Sequence, residues 1–115
     1  MEVKAALNNY RVSARKARLV VDQIRGKGVE DALNLLSLSP KRIADPIAKL
    51  LRSAVANAEQ KNENEKAGIE IDNLVVSTAF VDEGSSMWRI RARAQGRASW
   101  IQKRTSKINV VLSER

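Results

Sequence analysis

The chain has 115 residues, 21 Lys and Arg against 13 Asp and Glu, a formal net charge of +8, and neither cysteine nor histidine. This is one domain's worth of residues, able to bury about two-thirds of its unfolded surface. The composition excludes disulfides, the common zinc sites, thiol nucleophiles and the usual general base near neutral pH, so no enzyme is expected.

The acids do not cluster at the spacing of a calcium loop. Gly26 and Gly28 flank Lys27, but no phosphate-binding glycine loop follows them. Neither a metal nor a cofactor is therefore expected. No stretch is long and apolar enough to span a bilayer, and the amino terminus lacks a basic-then-apolar leader, so cytoplasmic residence is the expectation. Tyr10, Phe80, Trp88 and Trp100 are the aromatics. They are too few to suggest an aromatic base-stacking platform, so recognition of a polyanion should run through phosphates and shape.

In chain order, residues 2–11 alternate Val3, Ala5 and Leu7 with Lys4 and Asn8, which predicts a strand. Ser13 is a fitting N-cap for a helix running to about Arg25 and closed by Gly26. Its apolar stripe is Ala14, Ala17, Val20, Val21 and Ile24. Arg15, Lys16 and Arg18 crowd its first turns, where the helix dipole is already positive; an anionic partner would offset that cost, and the alternative is side chains splayed into water. A second helix is predicted from about Val29 to Leu36, with Glu30 and Asp31 in its first turn. Ser39 and Pro40 then suit the start of a long helix reaching about Asn62, with Ile43, Ile47, Leu50, Leu51, Ala54, Val55 and Ala58 buried. Pro46 falls inside that pattern and predicts a bend. Residues 60–68 are polar and predict a loop.

β-Branched residues return between Ile69 and Glu83, and 107–112 alternates through Ile108, Val110 and Leu112, predicting two antiparallel strands that join the first in a small sheet. From residue 84 to 113, thirty consecutive residues carry no carboxylate and seven cations. By segment the net charge is +5 over 1–27, −4 over 28–83 and +7 over 84–115. Solvated faces normally mix both signs, so this asymmetry points to a polyanion. Arg89, Arg91 and Arg93 alternate with Ile90 and Ala92, which on a strand puts the three guanidinium groups on one face. A hairpin with its tip near residues 91–94 would have arms of about ten residues, reaching roughly 30 Å at about 3.3 Å per residue. It must then protrude from a body of about 13 Å radius of gyration.

Several segments resemble bacterial large-subunit ribosomal protein twenty-two: Ser-Ala-Arg-Lys-Ala-Arg-Leu-Val at 13–20, Ile-Arg-Gly-Lys at 24–27 and Ser-Ala-Val-Ala-Asn-Ala-Glu at 53–59. Val-Asp-Glu-Gly at 81–84, Arg-Ala-Gln-Gly-Arg-Ala at 93–98 and Lys-Arg-Thr-Ser at 103–106 continue the match in order to the end of the chain. Two positions depart from it: Trp88 stands where a basic residue is common, and Arg91-Ala92 replaces a segment that often includes proline.

The resemblance implies an α+β fold, three helices on a three-stranded antiparallel sheet with a long protruding β-hairpin, and a single domain over 1–115. Its body would be 1–82 and 105–115 and its hairpin about 83–104. It further implies binding to large-subunit ribosomal RNA, a part in early subunit assembly, and a hairpin that lines the nascent-peptide exit tunnel near the macrolide site. The RNA-binding candidates are Arg11, Arg15, Lys16, Arg18, Arg25, Lys27, Arg89, Arg91, Arg93, Arg97, Lys103, Arg104 and Lys107. The tunnel candidates are Met87, Trp88, Arg89, Ile90, Arg91, Ala92 and Arg93. The implied partners are ribosomal RNA, neighbouring large-subunit proteins and the nascent peptide, with a monomer when free. A basic architectural DNA-binding module is the alternative, since a β-ribbon suits a minor groove. Such modules are commonly dimeric, however, and the sequence leaves no long apolar face for a second copy.

Overall fold

In the computed structural model, which describes residues 2–65 and 71–114, the strand Ser106–Glu114 (β5) occupies the centre of a three-stranded antiparallel sheet. Glu2–Tyr10 (β1) pairs on one side of it and Leu74–Glu83 (β2) on the other. Between β1 and β2 come the helices Ala14–Ile24 (α1), Val29–Leu38 (α2) and Ala44–Glu65 (α3). Between β2 and β5 the chain runs out and back as Met87–Ala92 (β3) and Ala98–Lys103 (β4), a separate two-stranded ribbon. The fold is α+β, three helices with antiparallel sheets, as the sequence predicted.

One face of the sheet packs against the helices. Period-two alternation supplies it: Val3 from β1, Ile108, Val110 and Leu112 from β5, and Leu74, Val76, Ala79 and Val81 from β2 are all buried. The step from Val76 to Ala79 is three residues because the register shifts between Val76 and Thr78, a bulge that keeps both ends of β2 facing inward. The stripe foreseen on α1 is buried residue for residue, and the Ser13 hydroxyl accepts from the Lys16 amide at 3.4 Å. α1 lies against β2, α3 against β1, and α2 against α3.

The expected start of the long helix is corrected. Ser39 ends α2 instead, its amide bonding the Leu36 carbonyl, and α3 begins at Ala44. Pro46 explains the difference. A helix opening at Pro40 would place Pro46 in its interior, where it lacks a donor for the Arg42 carbonyl and its ring would clash there. Starting at Ala44 puts Pro46 in the first turn, where no intrahelical donor is needed, so the predicted bend has no cause. At the far end α3 continues past Asn62 to Glu65, through much of the predicted loop. Just before that end, the Asn57 and Lys61 side chains donate to the Lys4 and Glu2 carbonyls and dock the helix on β1. The rest of that loop, and Ile69, lie outside the described residues. Ile71 falls in a short 3-10 turn, Ile71–Asn73, ahead of β2.

The opposite edge of the sheet is also covered. The Gly26 amide donates to the Val76 carbonyl at 2.8 Å, and the Val76 amide donates back to Lys27 at 2.9 Å. Further along β2, Arg25 donates to the Ala79 carbonyl through Nε and Nη2 at 3.0 and 2.6 Å. Arg18 does the same to Val81 at 3.2 and 2.9 Å. Outward carbonyls that would template a further strand are thereby satisfied by helix-borne donors.

Candidate nucleic-acid interface

The ribbon is where the chain departs from a compact shape. The radius of gyration is 17.4 Å and the long axis 65 Å, against about 13 Å expected of a compact domain of this size. At its base the two sheets are separated by residues 84–86 and 104–105. The Gly84 amide donates to the Thr105 carbonyl at 2.9 Å, and the Thr105 hydroxyl donates to the Ser85 carbonyl at 2.5 Å. A Cβ on Gly84 would sit 2.5 Å from that hydroxyl oxygen, so only glycine lets the two strands approach this closely before they part.

The tip is formed by Ala94–Gly96, with Gln95 at φ 62° and Gly96 at φ 73°. This corrects the tip expected at residues 91–94. Two successive left-handed residues turn the chain here, and the Gln-Gly pair supplies them more readily than Arg-Ala could. Met87–Ala92, the heart of the tunnel candidate set, is thus the whole outgoing arm, and Arg93 opens the turn.

Register fixes two unlike faces. Met87 pairs with Lys103, Arg89 with Ile101 and Arg91 with Ser99, so Arg89, Arg91 and Lys103 share one face. Trp88 pairs with Gln102, Ile90 with Trp100 and Ala92 with Ala98 on the other. Two tryptophans, too few in the sequence to suggest a platform, therefore stand diagonally across one face.

The basic side of the ribbon overhangs the body and encloses a cleft of about 1030 Å³. Arg89, Arg91, Lys103 and Arg104 line it from the ribbon, Arg11 and Lys16 from the entry to α1, and Lys41 and Arg42 from the link between α2 and α3. Val12, Leu19, Ile43, Ile90 and Ile101 provide apolar lining and Gln102 a polar one, and among the described residues no carboxylate lines it. Eight cations converge here from segments far apart in sequence. The first turn of α1 holds no acid, whereas α2 has Glu30 and Asp31 there and α3 has Asp45. No acid of its own first turn offsets the positive helix end beside the cleft.

The structure sorts the sequence candidates. Arg11, Lys16, Arg89, Arg91, Lys103 and Arg104 are brought together in the cleft. Arg15 is exposed on α1 without lining it, and Arg93 and Arg97 flank the tip, where Arg93 Nε donates to the Ser99 hydroxyl at 2.9 Å. Lys27 is exposed after α1, and Lys107 is exposed on β5 opposite Asp82. Arg18 and Arg25 are tied to β2, and Arg25 also pairs with Asp22 at 2.9 Å. Lys41 and Arg42 were missed. Their only signal was adjacency to Pro40, which read as an ordinary helix start.

The family model described as ribosomal protein L22p/L17e matches residues 5–113, a span that takes in the helices, the cleft-lining segments and the whole ribbon. The chain therefore belongs to the ribosomal protein L22p/L17e family, whose members are structural, non-enzymatic constituents of the large ribosomal subunit.

Proposed function

We propose that the protein binds large-subunit ribosomal RNA through the cleft, takes part in early subunit assembly, and extends its ribbon along the nascent-peptide exit tunnel near the macrolide site. The observation that carries this reading is the cleft: among the described residues, eight cations from the body and the ribbon line it and no carboxylate does. Like charges gathered at this density repel one another, and an RNA backbone supplies the compensating phosphates. The body, 1–82 and 105–115, is the RNA-held part, and the hairpin, about 83–104, is the reaching part. The break at residues 84–86 and 104–105 supports that division.

The partners on this reading are ribosomal RNA, neighbouring large-subunit proteins and the nascent peptide, for a protein that is monomeric when free and resident on cytoplasmic ribosomes. The family match gives the DNA-binding alternative no support. Affinity for the cognate ribosomal RNA fragment should exceed that for duplex DNA of equal charge at matched salt. Equal binding to both would overturn the specific reading. The chain should also remain with large subunits after a high-salt wash.

A further inference from the structure

The face of the ribbon turned from its arginines does not share their chemistry. Trp88, Ile90 and Trp100 are 55%, 62% and 65% exposed there. Trp88 pairs with Gln102 and Trp100 with Ile90, which makes the two indoles diagonal neighbours on one surface, within reach of each other. Their pairing partners Gln102 and Ile90 reach the rim of the cleft, but neither indole lines it, and neither belongs to the buried core. Large aromatic surface held in water on an arm that has no core of its own needs an occupant.

We infer that Trp88 and Trp100 form a stacking platform for unpaired bases of a single-stranded RNA segment, on the face opposite the phosphate-binding arginines. The inference rests on the RNA-binding reading above and adds a second mode of contact to it. Charge complementarity selects the occupant. Between residues 84 and 113 there are seven cations and no acid, so the platform is embedded in a field that favours a polyanion over an apolar peptide or a neutral surface. Among polyanions, only one with unstacked bases offers flat apolar surfaces to the indoles together with phosphates to the guanidinium groups. A paired helix hides its base faces and would leave the platform empty.

The chain has two tryptophans, and both are on this face, so intrinsic indole emission reports on the platform alone. The full-length protein would be titrated with short single-stranded oligoadenylate, with an abasic oligonucleotide of equal length and with an RNA duplex, all at one salt concentration. Oligoadenylate should quench the emission; the abasic strand should bind more weakly and leave it unchanged. Trp88→Leu and Trp100→Leu should each weaken oligoadenylate binding about tenfold, with Trp100→Phe recovering most of it and abasic affinity unaltered.

If oligoadenylate and the abasic strand bind equally without quenching, the platform is wrong and the RNA reading stands. Absence of binding to all three takes down both. Leu variants that lose affinity for the abasic and base-bearing strands alike would show a structural role for the indoles. Leu variants that keep oligoadenylate affinity yet fail to join large subunits would assign the face to a protein neighbour. Either result overturns the inference.

Discussion

Arg15 and Arg18 sit three positions apart on the same helix and carry the same charge, yet they do different work. Arg18 reaches a carbonyl 63 residues away and Arg25 one 54 residues away, holding β2 to α1. Arg15 is exposed and makes no such bond to the described residues. Charge-assisted hydrogen bonds to backbone oxygen are worth more than neutral ones, though the Arg25 side chain is 45% exposed and its share is correspondingly reduced. Arg18→Ala and Arg25→Ala should each cost about 1 kcal/mol, read as a lower urea midpoint at unchanged slope. Arg15→Ala should stay within about 0.5 kcal/mol in the same titration. No local pattern in the sequence separates these arginines, because what distinguishes them is a strand that arrives much later in the chain.

The elements were legible wherever a period of 2.0 or 3.6 was uninterrupted. All of α1 and the alternating half of β5 follow directly from such runs, since a buried face leaves no choice of which residues are apolar. Boundaries failed where a single residue could be satisfied in two ways. Pro46 is tolerated in a first turn and disruptive four residues deeper, and the sequence alone did not say which turn it occupied. Its place near the start of α3 makes Pro46→Ala change stability by less than about 1 kcal/mol in thermal or urea unfolding. A gain of about 3 kcal/mol would instead place it in the helix interior.

The ribbon shows the same limit, since strand alternation was visible but the turn three residues farther on was not. That turn also sets the register from the tip inward. Deleting Met87–Arg89 therefore removes the three rungs nearest the body, Met87–Lys103, Trp88–Gln102 and Arg89–Ile101, instead of reversing the faces of Arg91 and Arg93. None of these residues is in the core, so the shortened protein should fold and enter large subunits. Ribosomes containing it should respond differently to macrolides or stalling peptides. Loss of incorporation would instead make the ribbon an anchor for assembly.

At the level of the whole molecule, the cleft exists only because three separate parts of the chain meet. Composition revealed the basic termini, but the acidic middle segment, at −4, concealed Lys41 and Arg42, which the fold carries to the basic side. Lys41→Ala with Arg42→Ala should leave unfolding unchanged and weaken binding to the ribosomal RNA fragment. The slope of log affinity against log salt should become shallower by about 0.7–0.9 for each phosphate that is no longer neutralised. An unaltered slope would mean that RNA does not enter the cleft.

The central place of β5 has a further consequence, for the order in which the protein can be made. β1 and β2 do not touch as neighbours; each is hydrogen-bonded to β5, which is synthesised after both of them. Until it arrives, the inner faces of both strands lack their middle layer and their pairing, and the body cannot close from the amino terminus forward. Completion then requires contacts across nearly the full sequence, the circumstance that makes folding slow. The ribbon is synthesised between β2 and β5, so it leaves the ribosome before the body that will carry it exists. A chain ending at Thr105 should accordingly show no cooperative unfolding transition. One in which residues 85–104 are replaced by a short Gly-Ser turn should retain it, because the core draws nothing from that stretch.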